Sequence, residues 1–147
     1  MKIVIGSDHG AVELKEEVKK VLAEIEGVEV NDVGTFDTSP DDYPDVAERV
    51  CAEVVSGAAE RGIALCGTGI GISIAANKIK GIRCALCHDV FSAKMSRAHN
   101  NANVLAMGGR VIGYGPAGEI VRAWVAAEFE GGRHERRVNK IMALENV

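Results

Sequence analysis

The residues of this chain best suited to chemistry lie in one glycine-rich segment that begins with Cys66. The segment reads C-G-T-G-I-G over residues 66–71, directly after the apolar run 63–65, and a helix is predicted to begin at Ile70. Such a turn leaves backbone N–H groups at the positive end of a helix, which favours negative charge on a phosphate, an enolate or a thiolate. Cys66 is therefore predicted to act as a base or nucleophile, with a buried structural cysteine as the alternative.

Acidic, hydroxyl and imidazole side chains stand near the ends of other predicted elements. Asp8 and His9 directly follow the first predicted strand, where Asp8 either orients a substrate hydroxyl or caps the next helix. His99 ends a predicted helix, where its imidazole either moves protons near neutral pH or serves as a C-cap. Tyr43 lies beside Pro44. Its position in the sequence fits either a hydroxyl that faces the substrate or an aromatic ring that packs in a turn.

Two arginines near the end of the sequence are spaced to bind an anion. Arg133 and Arg137 are four residues apart, so they share one face of a predicted helix. Two guanidinium groups on one face can bind a phosphate, unless they pair instead with Glu130 or Glu135. A thiol base, a histidine acid, a loop of amides and two arginines together indicate a small anionic substrate.

The glycine pattern differs from those of nucleotide-binding loops. A dinucleotide loop reads G-x-G-x-x-G, whereas Ile72 stands at the third glycine position here, and no Gly-Lys-Ser/Thr follows as in a P-loop. The chain also has no room for a second, catalytic domain. Nicotinamide binding is therefore not predicted. The alternative to a functional loop is a tight turn that only connects the strand to the helix.

The cysteines and histidines show no metal-binding pattern. His88, His99 and His134 lack ligand spacing. Cys84 and Cys87 form a C-x-x-C, but it falls inside a predicted strand, where residues three apart point to opposite faces and share neither a metal nor a disulfide. The sequence therefore predicts no metal and no cofactor, and it predicts buried apolar roles for these two thiols.

Length, composition and charge limit the class of protein. The chain has 147 residues, of which 47% are hydrophobic and 26% charged, which is typical of one globular domain over residues 1–147. The net charge of −4 argues against a nucleic-acid surface. No apolar run reaches the length of about 18 residues that a membrane span needs, and the N-terminal segment does not fit a signal peptide. We expect a cytoplasmic protein that binds neither nucleic acid nor membranes.

Apolar strands alternate with amphipathic helices along the chain. Strands are predicted at residues 2–6, 28–33, 62–66, 82–87 and 104–107, and helices at 11–26, 44–56, 70–78, 91–98, 116–130 and 135–144. Five strand–helix units predict an α/β fold: a doubly wound parallel sheet in the order 2-1-3-4-5, with helices on both faces and an extra C-terminal helix. In such sheets ligands bind beyond the carboxyl ends of the strands, where Asp8 and Cys66 stand.

Five long motifs follow one another along the chain. They are G-S-D-H-G at 6–10, D-Y-P-D at 42–45, C-G-T-G-I-G-I-S-I-A-A-N-K at 66–78, R-A-H-N-N-A-N-V-L at 97–105 and E-G-G-R-H-x-x-R at 130–137. In this order they resemble the type B ribose-5-phosphate isomerases and the related galactose-6-phosphate isomerase subunits, over essentially the whole chain. The resemblance implies a Rossmann-like fold, a homodimer or dimer of dimers with active sites between subunits, and reversible conversion of ribose 5-phosphate and ribulose 5-phosphate without metal or cofactor.

The resemblance also implies roles for individual side chains. It implies Cys66 as the base that moves a proton between C1 and C2 through an enediolate, and His99, from the partner chain, as the group that opens the furanose ring. Asp8 and Thr68 would assist at the sugar oxygens, and the loop amides would hold the enediolate oxygen. The other implied contacts are Gly67, Gly69, Ile70 and Gly71 in the loop, His9, Arg133 and Arg137 at the phosphate, and Tyr43, Asn100 and Arg110 in the pocket.

Three positions qualify this resemblance. Asn101 stands where the family often has an aspartate, which would shift the electrostatics near His99, and Phe91 replaces a frequent tyrosine, which indicates a packing change. Some members use a glutamate in place of the cysteine, and Ile72 at the matching position places this chain in the cysteine branch. Two alternatives stay open: the same chemistry on a hexose 6-phosphate such as allose or galactose 6-phosphate, and a non-catalytic sensor of sugar phosphates or nucleotides.

Overall fold

One parallel sheet with helices on both faces forms the frame of the molecule. The computed structural model describes residues 1–147. The strands are β1 (Lys2–Ser7), β2 (Glu29–Asp32), β3 (Arg61–Cys66), β4 (Cys84–Leu86) and β5 (Val104–Gly108). The helices are α1 (Val12–Ala23), α2 (Tyr43–Ser56), α3 (Ile70–Asn77), α4 (Val90–Ala98), α5 (Tyr114–Ala126) and α6 (Arg133–Ala143), with 3-10 turns at His9–Ala11 and Leu144–Asn146. The predicted α/β class and its extra C-terminal helix are confirmed. None of the helices combines the length and apolar composition that crossing a bilayer requires.

The strand order differs from the prediction at one side of the sheet. The order is β2-β1-β3-β5-β4, so the predicted order 2-1-3-4-5 is wrong for the last two strands. All five residues of β5 are buried, whereas β4 has only three residues and leaves Leu86 partly exposed. A continuous apolar strand gains most from a central position, and a short, partly exposed strand suits an edge. Burial, rather than chain order, decides which strand lies inside.

Apolar side chains pack against both faces of the sheet. On one face Ile5 and Leu105 pack with residues of α1 and α5, including the fully buried Trp124. On the other face Val4 and Val104 pack with residues of α2 and α3. Alternate residues of each central strand therefore serve opposite cores, as the period of an extended chain requires.

The C-x-x-C pair divides between these two cores. Cys87 packs with the α1 and α5 side, and Cys84 packs against the α2 and α3 side, so the predicted opposite orientation is confirmed. All four cysteines are free thiols. Burial raises the pKa of Cys87 to about 11 and that of Cys51 to about 12, so both stay protonated and unreactive at neutral pH.

The parallel register gives the sheet a carboxyl end and an amino end. At the carboxyl end, Ser7 pairs with Leu65 and Cys66 pairs with Gly108. At the amino end, the Gly62 N–H donates to the carbonyl of Asn103 in the connection between α4 and β5. Side chains from the β1 and β3 loops therefore meet at one end, and the end of α4 lies at the other.

A buried ion pair fixes the loop after β2. Lys15 of α1 is fully buried and donates from Nζ to Asp32 Oδ1 at 2.9 Å, while Lys19 Nζ lies 2.9 Å from Oδ2. The Gly34 N–H also donates to Asp32 at 2.9 Å. Burial alone would raise the pKa of Asp32, but the hydrogen bonds from Lys15 and Lys19 outweigh it, and the pKa lies below the usual value of a carboxyl.

Replacement of Asp32 by asparagine is expected to lower the free energy of unfolding by about 3 kcal/mol at pH 7, because Lys15 would keep a buried charge without its partner. A carboxyl whose pKa is lower in the folded state stabilises the fold above its unfolded-state pKa and loses this effect as pH falls through the folded-state value. The difference between wild type and Asp32→Asn should therefore shrink below about pH 4. Urea unfolding across pH measures both effects.

The matched control is Glu17→Gln, which removes a more exposed ion pair with Lys20. Its expected effect is below about 1 kcal/mol, because water screens an exposed pair. Equal losses in the two variants would contradict the assigned role of Asp32.

Candidate active site

Cys66 ends β3 beside the turn that starts α3. The residue is 3% exposed, and the Gly69 N–H donates to Cys66 Sγ at 3.1 Å. Gly69 has φ +77°, a left-handed conformation that favours glycine and allows this tight turn. An amide donor at the start of a helix stabilises negative charge on the sulfur, so the arrangement suits a thiolate base.

The amides around the sulfur are free to bind a ligand. The N–H groups of Gly67, Thr68 and Gly71 form no hydrogen bond within the chain. Thr68 is exposed, and its Oγ1 accepts from the Ile70 N–H at 3.2 Å. Unpaired amides at a helix N-terminus can stabilise an oxyanion such as an enediolate oxygen.

Asp8 and His9 lie beside the same loop, at the carboxyl end of β1. Asp8 is buried and its Oδ1 accepts from the Gly10 N–H at 2.9 Å, so this carboxylate caps the 3-10 turn His9–Ala11. The helix α1 itself begins after Ala11 without a side-chain cap. A Cβ placed on Gly10 would lie 3.4 Å from the backbone of Gly67, so the β1 and β3 loops are in contact. His9 is exposed, and its Nδ1 accepts from the Asp41 N–H at 3.2 Å, which leaves Nε2 as the nitrogen free to donate.

Tyr43 and Arg110 also border the glycine loop. A Cβ on Gly71 would lie 2.6 Å from Tyr43 Cε1, so the tyrosine ring lies directly against Gly71. Arg110 donates its backbone N–H to the Gly67 carbonyl at 2.9 Å, and its side chain lies against the same residue. The fold thus brings together the predicted site residues Asp8, His9, Tyr43, Cys66, Gly67, Thr68, Gly69, Ile70, Gly71 and Arg110.

A second group of predicted site residues surrounds the end of α4. His99 is the C-cap of α4, and its ring stacks on His134 with centroids 4.1 Å apart and planes 7° from parallel. Glu130 Oε1 lies 3.8 Å from His99 Nε2 and 3.5 Å from His134 Nε2. Burial, with further contributions from the positive charges of His99 and Arg133, lowers the pKa of His134. His99 is therefore both a cap and half of a stacked pair.

The two predicted phosphate-binding arginines lie near this second group. Arg133 and Arg137 are exposed on α6 and form no ion pair within the chain, so the alternative pairing with neighbouring glutamates is not realised. Asn100 is exposed and follows His99 directly. Unpaired guanidinium groups on one helical face keep their capacity to bind an anion.

Asn101 and Phe91, which differ from the residues frequent in the family, both lie on or after α4. Asn101 has φ +48°, and its Oδ1 accepts from Arg97 Nη1 at 3.0 Å. An asparagine tolerates this left-handed conformation better than most residues. Phe91 is 73% exposed on α4, so within one chain the ring fills no packing position.

The two groups of site residues lie at opposite ends of the sheet. Cys66 pairs with Gly108 at the carboxyl end, whereas His99 precedes Val104 at the amino end. Val104 and Gly108 are four residues apart on an extended strand, which spans roughly 13 Å. A single chain therefore does not bring His99, Asn100, Arg133 or Arg137 to Cys66.

The cavities of the chain are also separate for the two groups of site residues. The largest, about 780 Å³, lies between the β4 edge and the C-terminal segment, and its lining includes Asn100 and Met142 but not Cys66. A small cavity of about 130 Å³ opens beside His9 and Gly10 at the carboxyl end of the sheet. Neither cavity joins the sulfur to the arginines.

Sequence reasoning missed the grouping of Glu130 and His134 with His99. The histidine spacing along the chain shows no ligand pattern, yet His99, Glu130 and His134 each place a potential ligand atom within 4.8 Å of the others. The available signal was the four-residue spacing of Glu130 and His134. No signal in the sequence placed this pair beside the end of α4.

Comparison with known proteins identifies the family. A family model described as Ribose/Galactose Isomerase matches residues 3–141. The chain belongs to this family. Ribose-5-phosphate isomerase B of Escherichia coli (strain K12) is 50% identical over 98% of this chain and 96% of that protein. The resemblance inferred from the motifs is confirmed.

Solved structures and further relatives extend the comparison. The structure of Clostridium thermocellum ribose-5-phosphate isomerase B matches with a TM-score of 0.96 and 53% identity, over 99% of this chain and 98% of that chain. The D-erythrulose-4-phosphate isomerase of Pectobacterium atrosepticum is 46% identical over 99% of this chain and 96% of that protein. The protein is thus an aldose–ketose isomerase. Its relatives are named for sugar phosphates of different chain lengths.

Replacement of Gly108 by alanine is expected to disturb the site from the end of β5. Its Cβ would lie 2.5 Å from the Thr68 carbonyl carbon, so the backbone beside Cys66 must move. We expect a loss of about 2 kcal/mol of stability from overpacking, together with a fall in isomerase activity. Urea unfolding and steady-state kinetics measure these effects.

The control for this change is Gly115→Ala. Gly115 lies in the first turn of α5, and a Cβ added there would have no neighbouring atom within 4 Å. Stability should therefore change by less than about 1 kcal/mol, and activity should be unaffected. Wild-type stability and activity in Gly108→Ala would show that the contact with Thr68 does not shape the site.

Proposed function

We propose that this isomerase interconverts ribose 5-phosphate and ribulose 5-phosphate at a site shared by two copies of the chain. The observation that supports it most is the Cys66 sulfur, which accepts a hydrogen bond from Gly69 and lies among free amides. A thiolate in this position has a donor set ready for the charge of an enediolate. The names of the relatives in Escherichia coli and Clostridium thermocellum support a pentose phosphate as substrate.

The reaction begins with opening of the furanose ring. His99 donates a proton to the ring oxygen while the Asp8 carboxylate accepts the proton of the O1 hydroxyl, which frees the aldehyde at C1. Asp8 then gives this proton to water, and His99 takes one from water, so both groups return to their starting state. Asp8, held at the end of β1 by its bond to the Gly10 N–H, lies beside the loop where the sugar hydroxyls would bind. Arg133 and Arg137 hold the phosphate, and His9 contacts it through Nε2.

Proton transfer between C2 and C1 follows. The Cys66 thiolate removes the C2 proton, and the electron pair shifts to O1 to form the enediolate, whose charge the amides of the glycine loop stabilise. The thiol then returns the proton to C1. Transfer of the O2 proton to O1, assisted by the Thr68 hydroxyl, completes the ketose and restores the thiolate.

A second copy of the chain supplies what one copy lacks. His99 and the arginines lie at the amino end of the sheet, whereas Cys66 lies at the carboxyl end. A two-fold dimer that joins one end to the other forms two identical complete sites. Exposed apolar side chains, among them Ile74, Leu86 and Ile141, offer a surface for this contact, in a homodimer or a dimer of dimers.

The free cysteines bear on the cellular compartment of the enzyme. All four cysteines are free thiols, which fits a reducing environment, and we place the enzyme in the cytoplasm. No nucleic-acid or membrane partner enters the reaction.

Mixing two inactive variants tests the shared site. Cys66→Ala and His99→Asn should each lose activity on ribose 5-phosphate by at least about 100-fold, because each removes a proton-transfer group. After the two proteins are unfolded and refolded together in equal amounts, half of the dimers are mixed and each mixed dimer has one intact site. We expect about one quarter of wild-type activity to return.

Each variant refolded alone is the control, and should stay inactive. Absence of recovery, with mixed dimers demonstrated by mass spectrometry, would place both groups in one chain or outside the reaction. Full activity of Cys66→Ala alone would remove the proposed base.

The alternative substrates are sugar phosphates of other lengths. The family name includes galactose, and the Pectobacterium relative is named for a four-carbon sugar. We expect kcat/KM to be highest for ribose 5-phosphate when it is compared with allose 6-phosphate, galactose 6-phosphate and erythrulose 4-phosphate. A higher value for a hexose or tetrose phosphate would overturn the pentose assignment, and family membership already favours an enzyme over a non-catalytic sensor.

A further inference from the structure

Three side chains with metal-ligand chemistry meet at the end of α4. We define the His–Glu–His cluster as His99, Glu130 and His134, whose ligand atoms all lie within 4.8 Å of one another. The Glu130 N–H donates to the Ala98 carbonyl at 3.0 Å, which ties the glutamate backbone to the residue before His99. The cluster is therefore assembled by the fold, although its members come from two distant segments of the sequence.

Two of the three ligand-atom distances in the cluster approach those of a zinc site. Glu130 Oε1 lies 3.5 Å from His134 Nε2 and 3.8 Å from His99 Nε2. Tetrahedral Zn²⁺ holds nitrogen and oxygen ligands at about 2.0–2.1 Å, which places neighbouring ligand atoms roughly 3.3–3.4 Å apart. Two imidazoles and one carboxylate also form a ligand set that zinc enzymes use, with a fourth position open to water.

Metal binding and ring stacking exclude each other. The lone pair of an imidazole nitrogen lies in the ring plane, and the planes of His99 and His134 are only 7° from parallel with centroids 4.1 Å apart. One ion cannot lie in both planes, so one ring must turn. The side chain of His99 is 38% exposed, whereas that of His134 is only 11% exposed, so His99 is the ring that turns.

We propose that the His–Glu–His cluster binds Zn²⁺ reversibly, and that the bound ion inhibits the isomerase by turning His99 away from the sugar. The inhibition rests on the proposed ring-opening function of His99. The binding itself rests only on the geometry of the three side chains.

The charges around the cluster set the strength of binding. Arg133 and Arg137 are exposed on the same helix and oppose a divalent cation, whereas Glu130 supplies one negative charge. Occupancy is therefore reversible, unlike that of a permanent structural zinc.

Cobalt spectroscopy tests binding without substrate. Co²⁺ added to the chelator-treated wild-type protein should give the visible absorption of a four-coordinate ion, and Zn²⁺ should displace it. Glu130→Gln and His134→Gln should each weaken binding by at least about tenfold, since each removes one of three ligands. Glu135→Gln, a change of the same kind at an exposed carboxylate outside the cluster, should leave binding unchanged.

Steady-state kinetics test inhibition. Zn²⁺ should inhibit turnover of ribose 5-phosphate, a chelator should restore it, and Glu130→Gln should raise the inhibition constant at least about tenfold while Glu135→Gln does not. Equal inhibition of both variants, or a cobalt spectrum that disappears in Cys66→Ala and survives in His134→Gln, would overturn the proposal. Failure of the substrate assignment would show as absent turnover before any metal is added, and the cobalt spectrum would be unaffected.

Discussion

The hydrogen bond from Gly69 to the Cys66 sulfur exists because the β3–α3 turn lies directly on the end of β5. A Cβ on Gly69 would approach the Met107 carbonyl carbon to 2.7 Å, and one on Gly108 would approach the Thr68 carbonyl carbon to 2.5 Å. Glycine at both positions lets the two backbones approach closely enough for the turn to close over the sulfur. The thiol therefore has a donor at a fixed place, and the amides of Gly67, Thr68 and Gly71 in the same turn stay unpaired.

The remaining chemistry is placed by the sheet as a whole. Parallel strands bring the loops that follow β1 and β3 to one end, so Asp8 and His9 lie beside the glycine loop although some 57 residues separate them from Cys66. The same geometry sends the C-terminal end of α4 to the other end, where His99 stacks on His134. Each helix that follows a strand in such a fold runs back from the carboxyl end to the amino end, so a residue at its last turn does not reach the loops at its start. In the proposed dimer, the second copy of the chain closes that gap.

Much of this arrangement could be read from residues alone. The apolar runs and helical periods predicted all five strands and six helices, and the alternation of strand faces placed Cys84 and Cys87 correctly in opposite cores. The order of β4 and β5 could not be read, because it depends on how much surface each strand buries rather than on its own pattern. The stacking of His99 on His134 could not be read either, since it arises from the packing of the chain after α5 against the end of α4.

The placement of the proposed catalytic groups at opposite ends of the sheet has a consequence for a chain without a partner. The phosphate of ribose 5-phosphate is on C5, away from the C1–C2 enediolate, so in the proposed reaction its role is to hold the sugar in position beside the base. In a lone chain the thiol has no arginine of α6 within reach. In the proposed dimer, assembly would therefore complete the phosphate site at each Cys66, because in a single chain His9 is the one proposed phosphate contact near the sulfur.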